Sequence, residues 1–289
     1  MKTKNSAVTI GTFDGVHKGH KLLIEKTLLA AKKNNYKSVV VALEKPVRRV
    51  SGVLSLGKEK IAELSKFPVD EIVVLKVPSE ILLSEPEDFF NNFLIKFLNA
   101  KIILCGQDFA FGKNRKGSAA WLKKQPNIKL EIINPLKISG KQISSSKIRA
   151  LLERGDITGA NKMLGRNYYF SGMPFKDRGL GAKLGFPTVN LKIDADKLLP
   201  KGVFVSLIEQ NGKFFAAVTN IGLRPTFGKT DALICETHIL NFSGIWKKSK
   251  TTVYLLKKLR SEKKFKNIAE LKAQIAEDTL KAKKYFQIA

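Results

Sequence analysis

The chain has only two cysteines and three histidines among 289 residues, and no apolar run approaches the ~20 residues that span a bilayer. Cys105 and Cys235 lie far apart, each inside an apolar run, with no Cys-x-x-Cys spacing and no histidine-rich cluster. That excludes zinc-finger and thioredoxin-like chemistry and leaves them as reduced core residues. Residues 1–5 lead directly into a short strand, too brief an apolar segment for a signal peptide, so a cytoplasmic location is expected. Acidic residues are scarce: 25 Asp and Glu stand against 52 Lys and Arg, a formal net charge of +27. Such an excess attracts polyanions. Yet the lysines are spread along the whole chain, as at Lys32, Lys33, Lys247 and Lys248, and no recognition-helix, zinc-finger or RNP pattern accompanies them. A lysine-biased composition explains the same balance, so nucleic acid is the lesser reading, and small anions such as ATP gain from the field either way. No membrane partner is expected, and nothing in the sequence speaks to the oligomeric state.

What is present is a soluble globular composition, 44% hydrophobic and 27% charged, at a length that suits two domains. Up to about residue 165, short β-rich runs alternate with amphipathic stretches, the pattern of βαβ units around a mostly parallel, doubly wound sheet. Strands are expected at 7–11, 38–43, 71–77, 101–105 and 129–133. A helix is expected over 87–98, with Phe89, Phe90, Phe93, Leu94 and Phe97 on its core face. Ligands of such a sheet sit outside the carboxyl ends of its strands, where Gly11, Gly106 and the loop before Ser144 emerge. Beyond Gly165 the pattern changes to short strands with Gly, Pro and Asn turns, at 168–171, 203–209, 214–218, 232–240 and 251–256. This reads as an antiparallel barrel or sandwich. Asn211-Gly212 is a hairpin signal, and a helix over 267–286 carries Ile268, Leu271, Ile275, Leu280 and Phe286 as an apolar stripe. The domains are thus drawn at 1–165 and 166–289.

The most informative stretch is Ile10-Gly11-Thr12-Phe13-Asp14-Gly15-Val16-His17-Lys18-Gly19-His20. A helix starting near Val16 places His17 and His20 on one face, and the backbone N–H groups of its first turn face whatever anion sits there. Two imidazoles can stabilise charge on a transferred phosphoryl group, and Gly19 between them admits a ligand close to the backbone. Ile143-Ser144-Ser145-Ser146-Lys147-Ile148-Arg149 opens another helix with a serine cap. Alone it is a cap; beside the histidines its hydroxyls and cations make a second phosphate clamp. Two other glycine patterns are set aside. Gly112 to Gly117 has Walker-like spacing, but Ser118 stands where the lysine is required, and Gly179-Leu180-Gly181 runs into Leu184-Gly185-Phe186-Pro187 rather than into a helix, so it is no Rossmann fingerprint.

The segment from Thr9 to His20 resembles the H-x-G-H nucleotidylyltransferase signature in the form used by bacterial bifunctional riboflavin kinase / FAD synthetases. Gly106-Gln107-Asp108-Phe109-Ala110-Phe111-Gly112 is similar to that family's G-x-D-F-x-F-G loop, and residues 143–149 to its I-S-S-T-x-x-R segment, with Ser146 for threonine. Leu184-Gly185-Phe186-Pro187-Thr188-Val189-Asn190 resembles the kinase's L-G-F-P-T-A-N, and Asn220-Ile221-Gly222-Leu223-Arg224-Pro225-Thr226-Phe227 its N-I-G-x-R-P-T-F. Cys235 to Leu240 and Leu259 to Phe265 follow in the family's order, so the resemblance spans nearly the whole chain.

The resemblance implies a nucleotidylyltransferase-like α/β domain followed by a Greek-key kinase barrel, converting riboflavin to FMN and FMN to FAD with ATP and Mg²⁺. Glu236 corresponds to the kinase's base, and Thr188 and Asn190 to its magnesium ligands. Strand alternation puts Glu236 and His238 on one face, away from Cys235 and Thr237. Gly185 and Pro187 fall in the kinase's ATP-binding segment, and Arg224, Thr226 and Arg260 on its flavin side. In the first domain, Gly11, Phe13, Asp14, Gly19, Ser144, Ser145, Ser146 and Arg149 correspond to ATP and phosphate contacts, with His17 and His20 catalytic and Asp108 toward the adenosine or flavin. Read alone, Glu236 is a solvent-facing strand carboxylate and 188–190 a polar turn after proline. The chain also departs from the family. Its F-x-P-H-P stretch appears as Leu43-Glu44-Lys45-Pro46-Val47, followed by Arg48 and Arg49; Ala182 replaces an arginine, and Ser261 a proline. A kinase with a degenerate first domain, or an RNA-binding protein on the same scaffold, are the alternatives.

Overall fold

The structure, a computed structural model, describes residues 4–176, 179–226 and 229–288, without the side chains of Leu180 and residues 223–232. The chain divides into two compact units, Met1–Ser145 and Ser146–Ala289.

In the first unit, β1 (Ser6–Gly11), β2 (Lys37–Leu43), β3 (Glu71–Leu75), β4 (Ala100–Gly106) and β5 (Lys129–Ile133) form a parallel sheet in the order β3-β2-β1-β4-β5. The strands expected from the sequence are all there. Central β1 and β2 are buried on both faces, which is why they read as nearly continuous apolar runs. Val8 and Ile10 pack on one face against Phe89, Phe90, Phe93 and Leu94, while Ala7 on the other meets Ile24 of α1 (Lys18–Asn34) with Phe13 and Val16. Helix α2 (Gly57–Leu64) contributes Leu64 to that second core. Strand order reverses between β1 and β4, so the ligand crevice opens at Gly11 and Gly106.

The helix expected over 87–98 takes another form. An α-turn at Pro86–Asp88 passes into a π-helix at Phe89–Phe97, with Leu98 N–H donating to Phe93 O at 3.0 Å. The wider winding turns Phe97 off the core face: it is 65% exposed and stacks on Phe93 instead.

In the second unit, α3 (Ser145–Glu153) and α4 (Ile157–Leu164) precede six antiparallel strands. These are β6 (Tyr168–Phe175), β7 (Thr188–Lys192), β8 (Gly202–Gln210), β9 (Lys213–Thr226), β10 (Lys229–Ile239) and β11 (Thr251–Arg260), closed as a barrel in the order β6-β7-β10-β9-β8-β11. The run β11-β8-β9-β10 is a Greek key. Asn211 and Gly212 turn the β8–β9 hairpin with φ of 53° and 77°, as the dipeptide predicts. Strand β7 has no counterpart among the strands read from the sequence. Helix α5 (Ile268–Phe286) starts at Asn267, whose side chain accepts from Glu270 N–H at 2.9 Å. Its apolar stripe needs correction: Ile268 and Leu280 are 63% and 68% exposed, and the buried positions are Asp278 and Ala282.

Candidate active sites

The first site forms where β1 turns into α1. Phe13, Gly15 and Val16 all hold positive φ (47°, 81° and 37°), a tight turn closed by Val16 N–H to Phe13 O at 3.1 Å. His17 caps the helix: its Nδ1 accepts from His20 N–H at 3.2 Å. A ring nitrogen that accepts carries no proton, which puts the ring hydrogen of His17 on Nε2. The His17 and His20 rings stack with centroids 3.6 Å apart and planes within 11°. A Cβ on Gly19 would come within 3.2 Å of the His17 ring, and one on Gly11 within 3.3 Å of the Phe13 ring, so both glycines keep space beside these groups.

Asp14 and Phe13 are buried, and neither is open to the crevice. Phe13 is core. The carboxylate of Asp14 points inward, its Oδ1 accepting from Leu54 N–H at 2.9 Å and Ser55 N–H at 3.1 Å, while Ser55 Oγ accepts from Gly15 N–H at 2.9 Å. The turn is thus tied to a loop forty residues on in sequence. Ser145, the last residue of the first unit, donates its hydroxyl to Asp14 O at 2.9 Å. Ser144 precedes α3; Ser146 and Arg149 lie on it. Asp108 is exposed after β4, its carbonyl accepting from Arg115 at 3.3 Å. Arg48 and Arg49 are exposed beyond β2.

The second site lies on one outer face of the barrel. Register sets Asn190 of β7 and Asn220 of β9 on either side of Glu236 of β10, with Thr188 opposite His238. Residues two apart on neighbouring strands share a face, so these side chains stand together. Thr188, Asn220, Glu236 and His238 line a cavity of about 210 Å³, closed across by Leu271 and Ile275 of α5. Asn190 is 7% exposed, and its Oδ1 is a buried carbonyl oxygen with no hydrogen-bond partner among the described residues. An orphaned hard oxygen beside a threonine hydroxyl and a carboxylate fits a divalent cation such as Mg²⁺. His238 Nδ1 lies 2.9 Å from Pro187 O, so the ring is fixed by the segment that carries Gly185, itself at φ 90°.

The opposite faces of these strands point into the barrel. There Thr237 and Thr219 exchange a hydrogen bond at 3.0 Å and Thr219 meets Ser206 at 2.7 Å. Burial pushes the Cys235 thiol up to about 12 and that of Cys105 to about 11, which makes both inert, as expected of core cysteines. Arg260 borders the cavity, but its guanidinium is held by Asp278, with Nε to Oδ2 at 2.9 Å and Nη2 to Oδ2 at 2.8 Å. Asp278 was not legible as a site residue: a carboxylate on an apolar helical stripe shows its purpose only once its partner is known. The side chains of Arg224 and Thr226 lie outside the described residues, as does Phe227 altogether.

Comparison with known proteins follows the same division. A riboflavin kinase family model matches residues 164–286 and an FAD synthetase model residues 1–147. A bifunctional riboflavin kinase/FMN adenylyltransferase of Buchnera aphidicola subsp. Schizaphis graminum is 35% identical over 98% of this chain and 95% of its own length. The protein of that name from Escherichia coli K12 is 30% identical over 96% of this chain and 92% of its own. A crystal structure described as a macrolide-efflux protein from Streptococcus pneumoniae is similar at a TM-score of 0.86 and 28% identity, covering 96% and 94%. Among the described residues no helix is long and apolar enough to cross a membrane. With both halves matched in order and each carrying its own polar cluster, the chain belongs to the family of bifunctional riboflavin kinase/FMN adenylyltransferases.

Proposed function

We infer that the chain phosphorylates riboflavin to FMN in its barrel and adenylylates FMN to FAD in its parallel-sheet domain, consuming one ATP in each step. The adenylyl-transfer machinery is assigned to residues 1–165 and the kinase to 166–289. The observation that supports the reading best is the register that sets Asn190 and Asn220, far apart in sequence, on either side of Glu236, with Asn220 and Glu236 lining the cavity.

In the kinase half, Glu236 accepts the proton of the ribityl 5′-hydroxyl as its oxygen bonds to the γ-phosphorus of ATP and ADP departs. Thr188 and Asn190 would hold Mg²⁺, which when bound neutralises charge on the ATP phosphates. Gly185 and Pro187 are assigned to the ATP side, and Arg224, Thr226 and Arg260 to the flavin side. In the adenylyltransferase half, a phosphate oxygen of FMN bonds to the α-phosphorus of ATP and the α–β bridge breaks to release pyrophosphate. No protein nucleophile is required, so positioning and charge stabilisation are the whole task. His17 donates from Nε2, and His20, Gly11, Gly19 and the first turn of α1 complete the phosphate cradle. Phe13 and Asp14 act by shaping the turn. Ser144, Ser145, Ser146 and Arg149 receive the pyrophosphate, and Asp108 faces the adenosine or flavin. All substrates are small molecules, and the assigned setting is the cytoplasm.

Incubating the purified chain with riboflavin, ATP and Mg²⁺ and separating the flavins by chromatography tests the reading. FMN followed by FAD is expected. FMN without FAD would retire the first-domain assignment.

A further inference from the structure

Lys60 is a charged residue with no place in either reaction as derived above, yet it is among the most enclosed side chains of the molecule, 2% exposed. It extends from α2 to the carboxyl end of β2, where its Nζ donates to Leu43 O at 2.5 Å and Glu44 O at 3.1 Å. These carbonyls lie at the edge of the crevice, because Gly11 pairs in register with Ala42 immediately before them. We propose that Lys60 is a positioning residue for adenylyl transfer: it clamps the end of β2 and sets a buried positive charge beside the phosphate turn.

A buried ammonium is costly unless something compensates it. Burial lowers Lys60 to about 8, and the carboxylates of Asp14 in the turn and Glu44 after β2 pull against that shift. On its own helix the buried carboxylates are engaged locally, Glu59 with Leu56 N–H and Glu63 with Lys66. The cation is bonded to the strand end, and the charge of Asp14 in the turn helps to hold its proton. Where FMN and ATP bring their phosphates together, such a charge favours the anionic complex and keeps the crevice wall in place.

This inference rests on the adenylyl-transfer reading, which FAD formation by the unaltered chain tests separately. In the full chain, Lys60→Met is expected to lower kcat/KM for FMN adenylylation at least tenfold and leave riboflavin phosphorylation within twofold, while Lys60→Arg restores most of the loss. A second readout is the pH profile. Adenylylation by the unaltered chain falls as pH rises through about 8, where Lys60 sheds its proton, whereas Lys60→Arg stays active to higher pH because a guanidinium keeps its charge. Limited proteolysis and thermal unfolding of residues 1–145, followed in the same samples, monitor folding of the unit that carries Lys60. If Lys60→Met does not fold, the Lys60→Arg profile decides the matter. Adenylylation within twofold of normal in a folded Lys60→Met, or an alkaline limb unmoved in Lys60→Arg, overturns the proposal.

Discussion

The two units handle phosphate by different means. In the first, the residues proposed for the task sit on one turn and one helix start: His17, Gly19 and His20 are neighbours in sequence, and the backbone of the turn places them. In the second, Thr188, Asn190, Asn220 and Glu236 come from three strands and are aligned only by barrel register. The first construction depends on the tethers that hold its turn, the Asp14 and Ser145 hydrogen bonds among them. The second depends on the sheet, and is closed by a helix that an Arg260–Asp278 pair holds in place. A local motif thus needs support from outside it, whereas a register-built site carries its support in the strands.

The comparison is broken most sharply by removing the barrel carboxylate. Glu236→Gln should lower FMN formation about 10²–10⁴-fold, the usual worth of a general base, and leave conversion of supplied FMN to FAD unchanged. A parallel loss in both reactions would show that the centres are not separate. Next in size, Asp278→Ala strands the Arg260 guanidinium and should destabilise the second unit by about 3 kcal/mol, read as earlier thermal loss of kinase than of adenylylation. Asn190→Ala should raise the Mg²⁺ needed for half-maximal kinase rate on the order of tenfold, about 1.4 kcal/mol for a lost oxygen ligand. The smallest effect is expected from Asp14→Asn. It keeps an acceptor for the Leu54 and Ser55 amides but loses its charge, about 1 kcal/mol of tether strength, visible as a modest fall in adenylylation alone.

The same contrast explains what could be read from the sequence. The histidine pair, the strands of the parallel sheet and the Asn211-Gly212 hairpin are local patterns, and the structure has them where they were expected. Strand β7 was hidden because Pro187 and the polar Thr188 and Asn190 imitate a turn. Phe97 was misplaced because α-helical spacing does not hold in a π-helix, and Ile268 and Leu280 because a stripe drawn from apolar residues overlooks a buried acid. Lys60 and Asp278 escaped for one reason: a charged residue on an amphipathic helix looks solvated until its partner's position is known. Resemblance to a family supplied roles for residues whose own pattern left a bland alternative, Glu236 above all.

The central claim is that this chain holds two phosphate-handling centres that act in series and can be disabled one at a time. Flavin chromatography of His17→Ala supplied with riboflavin, ATP and Mg²⁺ tests it most directly. FMN accumulating at the normal rate without FAD is the expected result; undiminished FAD, or loss of FMN along with it from folded protein, would contradict the account.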